Sequence, residues 1–140
     1  MTRTFFLISA LVLPLTAQAA ELTVRIDNIA SDQGTILVAL YESPHGFLKD
    51  DGETAARSVK AMPGALEVTF ADLKAGRYAV AMYHDANDDR ELNRNLLGLP
   101  TEGVGFSNDA IARFGPPDFD DAAVTLSADE RRSLTATLAY

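Results

Sequence analysis

The stretch Asp72-Leu73-Lys74-Ala75-Gly76-Arg77-Tyr78 indicates the fold class of the chain. A leucine, a short turn that contains glycine, and a tyrosine two residues later are typical of a corner where the chain passes between two packed β-sheets. In such a tyrosine corner the ring is buried while the phenol hydroxyl reaches the backbone. The residues that follow, 77–84, alternate between two largely apolar sets, which predicts a central strand.

Alternation of apolar and polar residues predicts six more strands around this one. We place the seven strands at residues 21–28, 35–42, 58–62, 65–71, 77–84, 122–126 and 133–140. The first two are expected to pair as a hairpin, because turn-forming residues separate them. The pattern favours an all-β fold, a single antiparallel seven-stranded Greek-key β-sandwich of the immunoglobulin or prealbumin type over residues 20–140. A small barrel is the alternative.

Residues 1–19 have the organisation of a secretory signal peptide. Arg3 lies in a short basic start, residues 5–15 form an apolar run, and Ala17-Gln18-Ala19 is a small-residue cleavage site. The apolar run is shorter than the roughly 18 residues that a membrane span needs. We therefore expect the mature domain, residues 20–140, in the periplasm or outside the cell, without membrane insertion.

The composition disfavours several kinds of site and partner. The chain has no cysteine, which excludes thiolate metal sites and cysteine nucleophiles. Loss of Arg3 with the signal peptide leaves 11 of the 12 basic residues against 20 acidic ones, a formal charge of −9. This balance disfavours nucleic acid and anionic membrane surfaces. We expect a monomer whose partner is an envelope protein, a peptide or a glycan.

A long loop, residues 84–117, separates the central strand from the last two strands. Loops of this length inside a compact domain are usually functional or disordered. Apolar residues predict an ordered loop because they can pack onto the domain, and these are Leu96, Leu97, Leu99, Val104, Phe106, Ile111 and Phe114. We expect the loop to carry the functional site, with ligand contacts from His84, Glu102, Phe106, Ser107 and Asn108.

Oxygen-bearing side chains at alternate positions of this loop suggest a calcium site. Asp85, Asn87, Asp89, Glu91 and Asn93 match positions 1, 3, 5, 7 and 9 of an EF-hand-type loop. The match is incomplete, because Arg90 stands where glycine gives the sharp turn and Leu96 where a bidentate glutamate closes the cage. The alternative is turn chemistry, since Asp and Asn side chains hydrogen-bond their own backbone in loops.

Residues for catalysis are few. His84 stands at a strand end beside Asp85, where a general base would be placed, and Ser107 would complete a serine–histidine–aspartate set. The sequence spacing does not support that set. His84 as a hydrogen-bonded strand-end residue is the preferred interpretation.

The motif residues of this region resemble those of a known family. They run Phe70-x-x-Leu73-x-x-Gly76-x-Tyr78-x-Val80-x-x-x-His84-Asp85-x-Asn87, then Leu97-Gly98-x-Pro100-x-Glu102-Gly103-x-Gly105-Phe106-Ser107-Asn108, then Phe114-Gly115-Pro116-Pro117-x-Phe119. This pattern resembles the bacterial secreted domain-of-unknown-function family 2141, DUF2141, over nearly all of the mature chain. The resemblance implies a periplasmic or secreted single domain, in a family without an established activity.

Residues 73–87 also resemble, more weakly, prealbumin-like and collagen-adhesin B-type sandwiches. Some of these hold calcium in an Asp-x-Asn-x-Asn/Asp-Gly loop, and DUF2141 members often carry that glycine. This chain has Arg90 at the glycine position.

Three hypotheses about function follow. The first is a non-catalytic sandwich whose long loop, ordered by Ca²⁺ if the metal site is real, binds a partner in the envelope. The second is a hydrolytic enzyme that uses His84 and Asp85. The third is an assembly module that pairs through an edge strand.

Overall fold

The computed structural model describes residues 19–111 and 115–140. Within these residues the chain forms eight strands: β1 (Ala20–Ile29), β2 (Thr35–Tyr41), β3 (Ala55–Lys60), β4 (Gly64–Leu73), β5 (Gly76–Asp85), β6 (Val104–Phe106), β7 (Val124–Leu126) and β8 (Arg131–Thr137). A 3₁₀ turn (Ser107–Asp109) follows β6, and one helical turn, α1 (Phe119–Ala122), precedes β7. Apart from Ala19, the predicted signal peptide lies outside the described residues.

The strands form two sheets, so the prediction of an all-β, two-sheet fold is confirmed. The first sheet has the order β4-β1-β8, and the second has the order β3-β2-β5-β6, with β7 also pairing with β5. No helix within the described residues is long and apolar enough to cross a bilayer.

Three details of the predicted topology were wrong. The long loop contains an additional strand, β6, which pairs with β5. The first two strands do not form a hairpin, because β1 pairs with β4 and β8 while β2 pairs with β3 and β5. The β1–β8 pair is parallel, so the sandwich is not purely antiparallel. Alternation reports which face of a strand is buried, but two strands with the same alternation are equally able to pair with several others.

The main core lies between the sheets and is built from the alternate apolar residues of each strand. Leu22, Val24 and Ile26 of β1 are fully buried and belong to one cluster with Val80 of β5. Burial of each such side chain contributes about 1.5–3 kcal/mol relative to exposure. The central strands of the two sheets therefore meet in the main core.

The tyrosine corner is confirmed. The Tyr78 ring is buried in the main core, and its hydroxyl donates to the Lys74 carbonyl at 3.0 Å. Burial, followed by the charge of Glu42, raises the pKa of Tyr78 above 10.0, which keeps the phenol protonated as a donor. The corner fixes the entry of β5, the strand that leads into the long loop.

A second, smaller core covers part of the opposite face of the β2–β5 sheet. Its members are Tyr41, Ala79, Phe119 and Ala122, with Phe47 packed edge-on against Tyr41 and Phe119 at centroid distances of 5.3 and 5.8 Å. These contacts come from the two segments that precede β3 and β7. The sheet is thus covered on both sides near its β7 end, and more open near the end of β5.

Candidate functional site

The imidazole of His84 is buried at the end of β5 and holds two distant segments together. Its Nε2 lies 2.7 Å from the Gln33 carbonyl, which can only accept, so Nε2 is the donor. In the neutral ring Nδ1 then accepts from the Tyr140 hydroxyl at 2.8 Å, and that hydroxyl accepts from the Ala30 N–H at 3.0 Å. Both ring nitrogens are occupied by structural partners. Sequence reasoning missed Gln33 and Tyr140, because neither lies in a motif.

Asp85 is buried beside His84 and organises the start of the loop. Its Oδ1 accepts the Asp89 N–H at 3.1 Å, and its Oδ2 accepts the Arg90 N–H at 2.8 Å. Asp88 and Arg90 both adopt left-handed conformations, with φ of 57° and 63°. The carboxylate therefore closes a tight turn in which Arg90 occupies a conformation that favours glycine.

Three of the five predicted calcium ligands come together at the surface. The Asn87 amide nitrogen lies 2.9 Å from Asp89 Oδ2 and 3.0 Å from Asn93 Oδ1, and the Asn93 amide nitrogen lies 3.0 Å from the same Asp89 oxygen. The hydrogen bond from Asn93, then that from the Glu91 N–H, lowers the pKa of Asp89 below 3.8. In residues 19–111 and 115–140, no group of three or more His, Asp or Glu side chains is arranged to hold a metal ion.

Glu102 joins the two arms of the loop. Its Oε1 accepts the Ala86 N–H at 3.1 Å and its Oε2 accepts the Asn93 N–H at 3.0 Å. Together with Asp85, it supplies carboxylate oxygens to backbone donors that no strand partner would satisfy. These hydrogen bonds are of the kind that acidic side chains make to loop backbone, and the calcium site stays a prediction.

Ser107 and Asn108 hold the second half of the loop. The buried Ser107 Oγ donates to the Ala122 carbonyl at 2.5 Å and accepts the Val80 N–H at 2.9 Å. Asn108 Nδ2 donates to the carbonyls of Asp121 and Ala123. Val80 precedes His84 by four residues of β5, about 13 Å of extended strand, so Ser107 is not assembled with His84 and Asp85.

The apolar residues at the tip of the loop point to solvent, so the expectation that they anchor it was wrong. Leu96, Leu97 and Leu99 are 105%, 83% and 57% exposed, and Ile111 is 89% exposed. Phe114 lies outside the described residues, and Val104 and Phe106 are half-buried in β6. Local hydrogen bonds decide the direction of the leucines: Asn95 Oδ1 accepts from the Leu97 and Leu99 N–H groups, and the Asn95 N–H donates to the Leu99 carbonyl.

A depression, which we call the outer groove, lies beside the loop on the β2–β5 sheet. Its volume is about 650 Å³. The floor is formed by Leu37, Ala39, Ala81, Tyr83 and Phe106, one wall by Leu48, Asp50, Asp51 and Glu53, and the other by Leu92 and Arg94. Burial, then the charges of Asp85, Glu102, Asp89 and Glu91, raises the pKa of Tyr83 above 10.0. Sequence reasoning did not anticipate this groove.

Comparison with known families identifies the sequence. The profile of the family described as an uncharacterized protein conserved in bacteria (DUF2141) matches residues 24–134. The chain belongs to the DUF2141 family. The match extends from β1 into β8, so it includes both the loop and the outer groove of the DUF2141 domain. No curated protein and no solved structure matched the chain. The weaker similarity to prealbumin-like sandwiches stays a prediction.

Proposed function

We propose that this DUF2141 domain is a non-catalytic binding module of the bacterial envelope, exported by its N-terminal signal peptide. Its loop 84–117 carries the binding surface, and its partner is an envelope protein, a peptide or a glycan. The observation that carries the proposal is the loop tip, where Leu96, Leu97 and Leu99 are exposed on a backbone held by its own hydrogen bonds. Exposed apolar patches on an ordered scaffold mark interaction sites.

The engagement of the catalytic candidates supports a binding role over hydrolysis. Both ring nitrogens of His84 and both carboxylate oxygens of Asp85 serve the fold. A general base needs a free nitrogen within reach of a substrate proton. We also retain a monomer and Greek-key connections as parts of this proposal.

NMR of the ¹⁵N-labelled mature domain, residues 20–140, tests the proposal. Titration with purified envelope glycan, peptide and protein fractions is expected to shift amides within residues 84–117. The double variant Leu96→Ser/Leu97→Ser is expected to abolish those shifts without lowering thermal stability, because both side chains are exposed. Met62→Ser, which removes an apolar side chain that is 56% exposed outside the loop, is the control. If the domain converts a compound in any of these fractions, and the His84→Gln variant no longer does so, the non-catalytic role is refuted.

Calcium binding at the loop is a second candidate property, supported by the convergence of Asn87, Asp89 and Asn93 within hydrogen-bonding distance. Rotation of the two amides would direct three oxygens to one point, and Ca²⁺ takes 6–8 oxygen ligands. Thermal unfolding in EDTA and in excess Ca²⁺ tests it. At a calcium concentration 100 times the dissociation constant, linkage predicts about 2.7 kcal/mol of stabilisation. Asp89→Asn should remove the effect, and an unchanged midpoint at millimolar Ca²⁺ would reject the site.

A further inference from the structure

We propose that the outer groove binds a peptide segment that is apolar and positively charged. This inference rests on the proposed binding function and specifies the partner: a chain whose apolar side chains contact the groove floor while its lysines or arginines contact the acidic wall. The groove is continuous with the loop, because Leu92, Arg94 and Phe106 line it, so the inference extends the binding surface from the loop onto the adjacent sheet face.

The floor of the groove is suited to apolar side chains. Leu37 and Ala39 of β2 and Ala81 of β5 face the same side of the sheet, opposite the main core, and each is only half-buried. Alanines on neighbouring strands leave room between the two raised walls for side chains of a ligand. Of the five floor residues, Leu37, Ala39, Ala81 and Phe106 carry no polar side-chain atom, and the Tyr83 hydroxyl is the one polar side-chain group. Sugar hydroxyls need such polar partners, so the floor favours an apolar peptide over a glycan.

One wall of the groove is acidic. Asp50, Asp51 and Glu53 are exposed along it, and none forms an ion pair within the described residues. Two of these charges act on Tyr41, which lines the groove. Burial, and then the charges of Glu53 and Asp50, raises the pKa of Tyr41 above 10.0.

The two arginines that line the groove are turned toward their own chain. The Arg57 guanidinium lies 5.2 Å from the centre of the Phe70 ring, and its Nη1 donates to the Ala56 carbonyl at 2.9 Å. Arg94 Nη1 donates to the Gly98 carbonyl at 3.0 Å. The acidic wall is therefore available to cations of a partner, and complementary charge steers and orients such a partner.

A set of synthetic peptides tests the inference with the mature domain. The probe is a short peptide that alternates leucine and lysine, and the matched controls replace either every lysine with glutamate or every leucine with serine. Amide shifts measured by ¹⁵N NMR are expected at residues 37–39, 81–83 and 92–94 with the probe alone. Glu53→Lys is expected to weaken binding about tenfold, which corresponds to about 1.4 kcal/mol. Asp32→Lys makes the same charge change at an exposed turn outside the groove and is expected to leave binding unchanged.

The outcomes separate this inference from the broader proposal. Equal binding of the glutamate peptide, equal weakening by Asp32→Lys, or shifts outside the groove would overturn the inference about the ligand. If the probe fails while an envelope glycan or protein fraction shifts residues 84–117, the peptide inference is wrong and the binding function stands. If neither the peptides nor the fractions produce shifts in the groove or loop, both fail.

Discussion

Gly103 lies directly against the ring of Tyr140. A Cβ atom added to Gly103 would come within 2.5 Å of Tyr140 Cζ, closer than real side chains approach. This contact places the Tyr140 hydroxyl between His84 and Ala30. The neighbouring residue Ala139 forms an antiparallel bridge with Val104, the first residue of β6. Tyr140 thus fastens the start of β6 and the end of β5 to the turn after β1.

Substitution of Gly103 by alanine is expected to displace the Tyr140 ring. The ring must move because the Cβ cannot fit beside it, and the hydrogen bond to buried His84 is then lost. We expect a loss of about 1–3 kcal/mol in the free energy of unfolding. Urea unfolding measures it. Gly98→Ala is a useful comparison, since nothing lies near that position and only its positive φ is strained. Wild-type stability of Gly103→Ala would contradict the close packing of Gly103 against the Tyr140 ring.

Removal of the Tyr140 hydroxyl isolates the effect of the hydrogen bonds from that of the ring. Tyr140→Phe leaves His84 Nδ1 and the Ala30 N–H without their partner, and we expect about 1–3 kcal/mol of destabilisation. Tyr83→Phe changes the same group at a half-exposed position in the outer groove and should alter stability by less than about 0.5 kcal/mol. Equal effects of the two variants on the midpoint of urea unfolding would refute the role of the His84–Tyr140 pair.

Replacement of Arg90 by glycine is expected to stabilise the domain. Arg90 has φ of 63°, a conformation that costs a residue with a Cβ roughly 1–2 kcal/mol. Glycine removes that strain but adds about 0.5–1 kcal/mol of unfolded-state entropy, so the net gain is about 0–1.5 kcal/mol. Thermal unfolding measures it. Arg94 does not have a positive φ, so Arg94→Gly is the control and should be destabilising. A lower melting temperature for Arg90→Gly than for wild type would show that contacts of the Arg90 side chain outweigh the strain of its backbone.

The lowered pKa of Asp89 predicts that the stability of the domain depends on pH in the acidic range. Hydrogen bonds from Asn93 and the Glu91 N–H hold its folded pKa below 3.8, so its contribution to stability is present above that value and disappears as the pH falls through the folded pKa. The difference in melting temperature between wild type and Asp89→Asn should be constant near neutral pH and shrink below about pH 4. Asn93→Ala should raise the pKa of Asp89, as read from its carboxyl ¹³C shift. An unchanged pKa would remove Asn93 as the main cause.

The features that depend on short-range pattern could be predicted from the sequence. Alternation located the strong strands, and the spacing from Leu73 to Tyr78 predicted a corner that the Tyr78–Lys74 hydrogen bond confirms. The motif residues also identified the DUF2141 family correctly. Each of these rests on side chains within a few residues of one another, where geometry follows directly from spacing.

Long-range pairing and the direction of loop side chains could not be predicted in the same way. Nothing in the alternation of residues 21–28 indicates that β8, the last strand, lies beside them in parallel. Leu96 and Leu97 are apolar, yet the Asn95 side chain fixes their backbone so that they face water. His84 finds Gln33 and Tyr140 only because three distant segments meet there. In each case the deciding partner is far away in the sequence or is a backbone group without a residue signature.

The parallel pairing of β1 with β8 has a kinetic consequence. β1 is the central strand of its sheet, yet one of its neighbours is β8, more than 100 residues further along the chain. The other neighbour, β4, ends at Leu73, so neither edge of β1 is satisfied by a local hairpin. Contacts between residues far apart in the sequence slow folding, because the chain loses the entropy of the long intervening loop before the strands can pair. The first sheet is therefore complete only after β8 has joined β1, and we expect this pairing to be a slow step of folding.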